Sequence, residues 1–201
     1  MRVKSKYKVA RRLGASVFEK TQGPKFAERQ ERRKKQFRRG NLSSYAKQLL
    51  EKQRVRYTYN ISEKQFSNYV KEALDKGGHQ PAAYLYMLLE LRLDNIVLRS
   101  GFATTRFASR QIATHGHMTI NGTRVDIPSY RLKEGDVITI REGSHNKGMF
   151  INLDEQVTET TIPTWLSVKL EKKEITVKSM PTMNAIELAF NLDQVLQFYK
   201  R

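Results

Sequence analysis

The stretch HMTINGTRV at residues 117–125 alternates apolar and polar side chains around the pair Asn121-Gly122. Both central residues of a type I′ turn need positive φ, and Asn-Gly meets that need best, so the stretch predicts a tight β-hairpin. A third strand is predicted at VITI, residues 137–140, after a turn at residues 133–136. After Gly116, apolar side chains therefore recur at every second residue, as is typical of a β-strand.

Apolar residues upstream of this hairpin recur at helical spacing. Either Ser43 or Ser44 can cap a first helix. Ser62 with Gln65 has the pattern of a capping box for a second helix, which Gly77-Gly78 would close. These signals predict a helical hairpin.

Two further helices are predicted before the strands begin. Pro81 fits the first turn of a helix whose long apolar face runs on to a stop at Gly101. A short helix is expected from about residue 105 to residue 114, ending at Gly116. Late in the chain, Trp165 to Leu170 and Ile175 to Lys178 predict a strand pair, and about residues 185–199 a helix.

The charge of the chain is strongly basic and lies mostly at its beginning. The 201 residues contain 37 Lys and Arg against 20 Asp and Glu, a formal net charge of +17, of which residues 1–40 carry +12. Such an excess favours a polyanionic partner. No apolar stretch is long enough to cross a bilayer, so nucleic acid is favoured over membrane lipid.

The amino-terminal sequence MRVKSKYKVARRLG is basic but leads into no apolar core of a secretory signal, although a transit peptide is harder to exclude. We interpret the protein as intracellular. The absence of cysteine excludes disulfides and any cysteine-ligated zinc or iron–sulfur site.

The first 40 residues contain few aliphatic side chains and the basic run at residues 32–35, so a core of their own is not expected. One interpretation is an extension ordered by its partner, and the other is a solvated, disordered tail. Four aromatic rings favour docking on a partner, because a tail that is only solvated does not need side chains that pack or stack. They are Tyr7, Phe18, Phe26 and Phe37.

Four arginines are spaced so that two helices can present one guanidinium patch. Arg106 and Arg110 are four residues apart, and Arg92 and Arg99 are seven apart on the helix before. Guanidinium donates two parallel hydrogen bonds to phosphate, and Thr104, Thr105, Gln111 and His115 could add neutral ones. The alternative is a solvated face in which the arginines pair with Asp94 and Glu90.

Residues 91–140 resemble the RNA-binding module named after small-subunit ribosomal protein number four. The matching motifs, in order, are Arg92-Leu93-Asp94, Gly-Phe-Ala, Thr-Arg, His-Gly, Ile-Asn-Gly, Pro-Ser-Tyr and Gly-Asp-Val. The module also occurs in pseudouridine synthases, in some tRNA synthetases and in a heat-shock RNA-binding protein. Residues 42–66, the sequence Pro163-Thr164-Trp165-Leu166 and the ending FNLDQVLQFYKR are similar to the ribosomal protein itself.

This resemblance implies an α+β fold in which the module is inserted into a helical domain. The implied parts are a basic amino-terminal extension at residues 1–41, a helical domain at 42–90 completed by about 185–201, an α-α-β-hairpin RNA-binding module at 91–150, and a strand pair with its connections packed on the module at 151–184. Many members of the family carry a zinc-binding cysteine cluster in the first forty residues, and this chain departs from them. The extension would then be held by RNA contacts and packing.

The role that the resemblance implies is a primary binder of small-subunit ribosomal RNA, which folds onto a multi-helix junction of the 5′ domain early in assembly. It implies a cytoplasmic, ribosome-bound protein, with an organellar ribosome left open as the alternative. The protein would contact small-subunit protein number five near the channel through which messenger RNA enters. Basic side chains there would touch messenger RNA, and the protein interface would influence decoding accuracy. The expected RNA-binding residues are Arg2, Lys4, Lys6, Lys8, Arg11, Arg12, Arg32, Arg33, Lys34, Lys35, Arg38, Arg39, Arg54, Arg56, Arg92, Arg99, Thr104, Arg106, Arg110, Gln111, His115, Arg124, Arg131 and Lys133.

Two other functions compete with this interpretation. An RNA-modifying enzyme would need a catalytic domain for which no sequence remains, so we expect no enzyme, cofactor or small-molecule substrate. No metal is expected either, because His115 and His117 lack a nearby carboxylate cluster and end a helix or bind RNA instead. A free-standing RNA chaperone or repressor stays open, and co-sedimentation with small subunits would distinguish it.

Overall fold

The computed structural model describes residues 5–36, 42–184 and 188–200, which form two compact units. The first unit holds the described residues up to Leu85 and from Asn184 onward, and the second holds residues 86–183. The helices of the first unit are α1 (Lys6–Leu13), α2 (Pro24–Gln36), α3 (Ser44–Thr58), α4 (Glu63–Lys76) and α9 (Leu192–Tyr199), and α5 (Pro81–Glu90) continues from the first unit into the second.

The predicted helix ends of α3 and α4 are confirmed. The Ser43 hydroxyl accepts a hydrogen bond from the Ala46 amide at 3.2 Å, and the Ser62 hydroxyl accepts one from the Gln65 amide at 3.4 Å. Gly77 ends α4, with its amide donating to the Ala73 carbonyl at 2.9 Å. Local capping chemistry therefore sets these boundaries.

The carboxyl-terminal helix begins later than predicted. Asn191 caps it and accepts from the Gln194 amide at 3.0 Å, while its own amide donates to Glu51 of α3 at 2.9 Å. Because this contact places the helix start at Leu192, the prediction of helix from residue 185 is wrong for residues 188–191, and residues 185–187 lie outside the described part.

A polar and aromatic cluster holds α9 against α3 and α4. The Lys52 ammonium lies 2.7 Å from Glu63 Oε1 and 4.5 Å from the centre of the Phe198 ring. The Tyr199 hydroxyl donates to Glu63 Oε1 at 2.9 Å. Burial raises the Glu63 pKa, but hydrogen bonds from Lys52, Arg56 and Tyr199 outweigh it, so the pKa is lowered overall.

The basic amino-terminal segment shares a small core with α3. Ala10, Leu13, Val17 and Phe18 are buried together, with Leu50 and Tyr57 of α3 packed against them. Short 3₁₀ helices at Ala15–Val17 and Glu19–Thr21 bring Phe18 to α3. Few aliphatic side chains suffice because α3 supplies the rest of this apolar surface.

The second unit packs three helices and one antiparallel sheet around a common core. Its helices are α6 (Leu93–Arg99), α7 (Arg106–Thr114) and α8 (Leu153–Glu159), and its strands are β1 (Met118–Ile120), β2 (Thr123–Val125), β3 (Val137–Ile140), β4 (Leu166–Lys169) and β5 (Glu174–Val177). The strand order is β2-β1-β3-β5-β4. Ile138 of β3 pairs with Ile120 on one side and Ile175 on the other, so the late strand pair continues the sheet that the hairpin begins.

The hairpin and third strand are confirmed, with φ of 48° at Asn121 and 81° at Gly122 as a type I′ turn requires. The continuous helix expected from Pro81 to Gly101 is wrong. Arg92 has extended backbone, φ −73° and ψ 140°, and separates α5 from α6. The amides of Leu93 and Asp94 donate to the carbonyls of Tyr130 and Pro128, both at 3.0 Å, and so start a new helix there.

Candidate nucleic-acid interface

Two of the four arginines are joined by a hydrogen-bonded chain that we call the Glu90 network: Arg99, Glu90, Asn95 and Arg106. The Glu90 carboxylate, with no exposed surface, accepts from Arg99 Nε at 3.0 Å and from Arg99 Nη2 at 2.9 Å. Asn95 donates to Glu90 at 2.8 Å and accepts from Arg106 at 2.7 Å. Both guanidinium groups are thereby fixed in orientation rather than left mobile.

The other two arginines share Asp94. Arg92 donates from Nε to Asp94 Oδ1 at 3.0 Å and from Nη2 to Oδ2 at 2.7 Å, while Arg110 lies 3.7 Å from Oδ2. Arg92 is 1% exposed and the Arg110 side chain 31% exposed. Arg92, which was predicted to contact RNA, is thus buried, with its guanidinium paired to the buried Asp94.

The ion pairs supposed by the alternative interpretation of the arginine patch are present, and binding of phosphate by the patch stays a prediction. The arginines do pair with Glu90 and Asp94, as the alternative supposed. The four guanidinium groups outnumber these two carboxylates, and the Arg99 side chain keeps 37% of its surface exposed. An excess of positive charge on a rigid support can receive phosphate with little loss of side-chain entropy.

Further candidate side chains of the second unit are exposed. The set comprises Thr104, Gln111, His115, Arg124, Arg131 and Lys133. Arg124 lies on β2, at the edge of the sheet, and its guanidinium covers Gly116 so closely that a Cβ added there would collide with it. Gly116, at φ +65°, follows the His115 cap of α7 and leaves room for Arg124.

Two exposed aromatic rings of this unit were not among the predicted residues. Phe107, between Thr105 and Arg110 on α7, is 53% exposed, and Tyr130 is 39% exposed beside Arg131. Exposed rings beside cations offer faces on which unpaired bases can stack. Their signal in the sequence was an aromatic residue next to a predicted basic position.

The described basic residues of the first unit that were predicted to bind RNA fall into two groups. Lys6, Lys8, Arg11 and Arg12 are exposed on α1, and Arg32 is exposed on α2 with Glu28 as an ion-pair partner. Arg54 instead pairs with Glu51 and donates to the Leu13 carbonyl at 2.7 Å, while Arg56 pairs with Glu63 at 2.6 Å. Arg54 and Arg56 therefore connect helices within this unit.

Seven candidate cations cannot be placed. Arg2, Lys4, Arg38 and Arg39 lie outside the described residues, as does Phe37, and the side chains of Arg33, Lys34 and Lys35 are likewise outside the described part. Within the described ranges, no three His, Cys, Asp or Glu side chains are grouped so that they could hold a metal ion. No described helix combines the length and apolarity needed to cross a bilayer.

The two histidines that were considered as metal ligands, His115 and His117, have separate roles. His115 is exposed and ends α7, whereas His117 is buried and its Nδ1 lies 3.0 Å from the Ser144 hydroxyl. Burial lowers the His117 pKa, and the nearby charges of Lys147, His115, Arg141 and Arg124 lower it further. The neutral imidazole is thus a core group of the sheet.

Comparisons with known proteins identify both parts of the chain. The S4 domain family matches residues 91–138, and the family described as ribosomal protein S4/S9 N-terminal domain matches residues 2–90. The chain is 39% identical over 197 residues to small ribosomal subunit protein uS4 of Chlorobium limicola, covering 96% of each chain. It is 42% identical over 199 residues to that of Persephonella marina, covering 96% of this chain and 95% of the relative.

Proposed function

This chain belongs to the family of small ribosomal subunit protein uS4, and from that membership we propose that it is a primary binder of small-subunit ribosomal RNA. In the proposed role it folds onto a multi-helix junction of the 5′ domain and nucleates assembly there. Membership itself gives the coarser statement: the protein is a structural, non-enzymatic constituent of the ribosome that binds ribosomal RNA and ribosomal proteins.

The observation that carries the proposal is the support of the basic side chains by buried carboxylates. Glu90 has no exposed surface and Asp94 is 7% exposed, yet their partners Arg99 and Arg110 reach solvent. Guanidinium groups that are already held in one orientation lose little conformational entropy when they bind phosphate. Where several RNA helices converge, the dense negative charge makes such fixed cations most favourable.

A finer part of the proposal concerns neighbours on the ribosome. We place the chain beside small-subunit protein number five, near the channel through which messenger RNA enters, where it influences decoding accuracy. The support is the family membership together with exposed cations in excess of those needed for pairing, such as Lys133 and Arg124.

The test of primary binding is footprinting of purified small-subunit RNA by the full chain alone. We expect protection confined to one junction of the 5′ domain, without any other ribosomal protein present. Protection that appears only after other proteins are added would overturn the primary role.

Co-sedimentation addresses the remaining alternative, a free-standing RNA chaperone or repressor. The proposal predicts that the protein occurs with small subunits at about one copy each, whereas the alternative predicts a mainly soluble pool. The ribosomal role fails if most of the protein stays at the top of the gradient at moderate salt.

A further inference from the structure

A groove in the basic amino-terminal segment shares no residue with the arginine patch of the second unit. It has a volume of about 770 Å³ and lies between α1 and the beginning of α2. Sites that hold a small molecule or a single monomer of a polymer fall in the range of about 300–1,000 Å³. The groove is therefore large enough for one nucleotide.

Two aromatic rings form the apolar part of this groove. The ring centres of Tyr7 and Phe26 are 6.0 Å apart with 37° between their planes. Phe26 is partly buried against the cluster of Ala10, Leu13, Val17 and Phe18, which fixes its position. Tyr7 is 48% exposed, so an apolar ring face is left to solvent in this helix.

The rest of the lining is basic. Arg11, Lys20, Lys25 and Arg29 are exposed, and within the described residues none of them takes part in an ion pair. Arg32 also lines the groove and pairs with Glu28, but no described residue that lines the groove is itself acidic. Paired rings surrounded by uncompensated cations complement a flat base that carries phosphates on either side.

We infer that this groove binds one unstacked nucleotide of single-stranded RNA, with the base on Tyr7 and Phe26 and the flanking phosphates on Arg11, Lys25 and Arg29. The inference rests on the proposed role in binding ribosomal RNA. It specifies that amino-terminal residues expected to bind RNA, among them Arg11, form a site for unpaired rather than helical RNA. A duplex cannot use the groove, because its bases are stacked on each other and paired. An acidic or phosphorylated peptide would satisfy the cations but leave the ring faces unused.

The test uses the full chain and end-labelled octa-adenylate and octa-uridylate as single-stranded probes, followed by fluorescence anisotropy. Tyr7→Ala is expected to weaken binding of both probes by between about 5-fold and 150-fold, the effect of removing one stacking partner. Tyr7→Phe keeps the ring and should retain the wild-type affinity. Tyr45→Ala is the matched control, since Tyr45 is 51% exposed in the same unit but does not line the groove.

Two competitors separate the possible occupants. A duplex of the same length should bind wild type and Tyr7→Ala equally, and an octameric phosphoserine–aspartate peptide should not displace the labelled probe at equal concentration. Equal affinities of Tyr7→Ala and wild type for single strands, or displacement by the peptide, would overturn the inference. Footprinting of small-subunit RNA by the wild-type chain tests the proposed function separately. Equal oligonucleotide affinities of Tyr7→Ala and wild type would therefore overturn the nucleotide site and leave the proposed function standing.

Discussion

Glu90 and Arg99 form a two-point ion pair in which one partner is fully buried and the other reaches solvent. The carboxylate accepts at 3.0 Å and 2.9 Å, and the arginine side chain keeps 37% of its surface exposed. This geometry couples the core of the second unit to its basic face. The ion pair that supports the fold and the RNA contact that we propose therefore depend on the same Arg99 side chain.

Replacing Arg99 by alanine should destabilise the second unit. The change removes a counter-charge from the fully buried Glu90, and such a removal costs about 3–5 kcal/mol. We expect the lower end, because the Arg99 side chain is partly exposed. Urea unfolding followed by Trp165 fluorescence measures this, and Lys172→Ala, at an exposed turn, is the control expected to change little.

Arg92 and Lys133 should separate stability from RNA affinity. Arg92→Ala leaves Asp94 without its bidentate partner and should lower the free energy of unfolding by about 3–5 kcal/mol. Lys133→Ala, at an exposed side chain, should leave unfolding unchanged and reduce the slope of log affinity against log salt by about one. A wild-type free energy of unfolding in Arg92→Ala would show that the buried ion pair of Arg92 and Asp94 does not stabilise the fold.

Stability of the second unit should depend on pH through His117. Burial lowers the folded-state pKa of this imidazole below its ordinary 6.5, so the unfolded chain binds a proton more readily. The folding stability that depends on the neutral His117 side chain is fully present above about pH 6.5, the unfolded-state pKa. It is lost as the pH falls toward the lowered folded-state pKa.

Urea midpoints at pH 7.5 and 5.5 measure this dependence. His117→Gln should flatten it, since a glutamine amide can still meet the Ser144 hydroxyl but does not titrate. His115→Gln should reduce it only in part, because this change removes one of several nearby charges that lower the His117 pKa. An equal pH dependence in wild type and His117→Gln would assign the effect to other groups.

Features that depend on neighbouring residues were predictable from the sequence. The turn at Asn121-Gly122 and the caps at Ser43 and Ser62 depend on a few adjacent backbone groups, and each is where the sequence places it. The α+β class and the uS4 resemblance are confirmed as well. Interactions between neighbouring residues were sufficient to predict the turn and the caps. The succession of family motifs was sufficient to predict the fold class and the family.

Features that depend on distant residues were missed. The break at Arg92 needs the carbonyls of Pro128 and Tyr130, and the late start of α9 needs Glu51. The core of the amino-terminal segment needs Leu50 and Tyr57. Periodicity cannot show these interactions, because they join residues that are far apart in the chain.

For the same reason, only part of the candidate site was predictable from the sequence. Spacing placed Arg106 and Arg110 on one helix, as the structure does. It could not show that Arg92 turns inward to Asp94 while Arg99 turns to Glu90, because those directions are set by the packing of α6 on its neighbours. The assignment of individual cations to RNA binding therefore stays a prediction.

The most direct measurement is filter binding of small-subunit RNA to the charge-reversed chain Arg106→Glu/Arg110→Glu across a salt series. The control is Lys172→Glu/Lys178→Glu, which changes the net charge equally at exposed positions of the same unit. Urea midpoints of both variants show whether they are folded. We predict weaker binding and a salt slope shallower by about 0.7–0.9 for each phosphate that is no longer neutralised, in the arginine variant alone. Wild-type affinity and slope in a folded arginine variant would contradict the account.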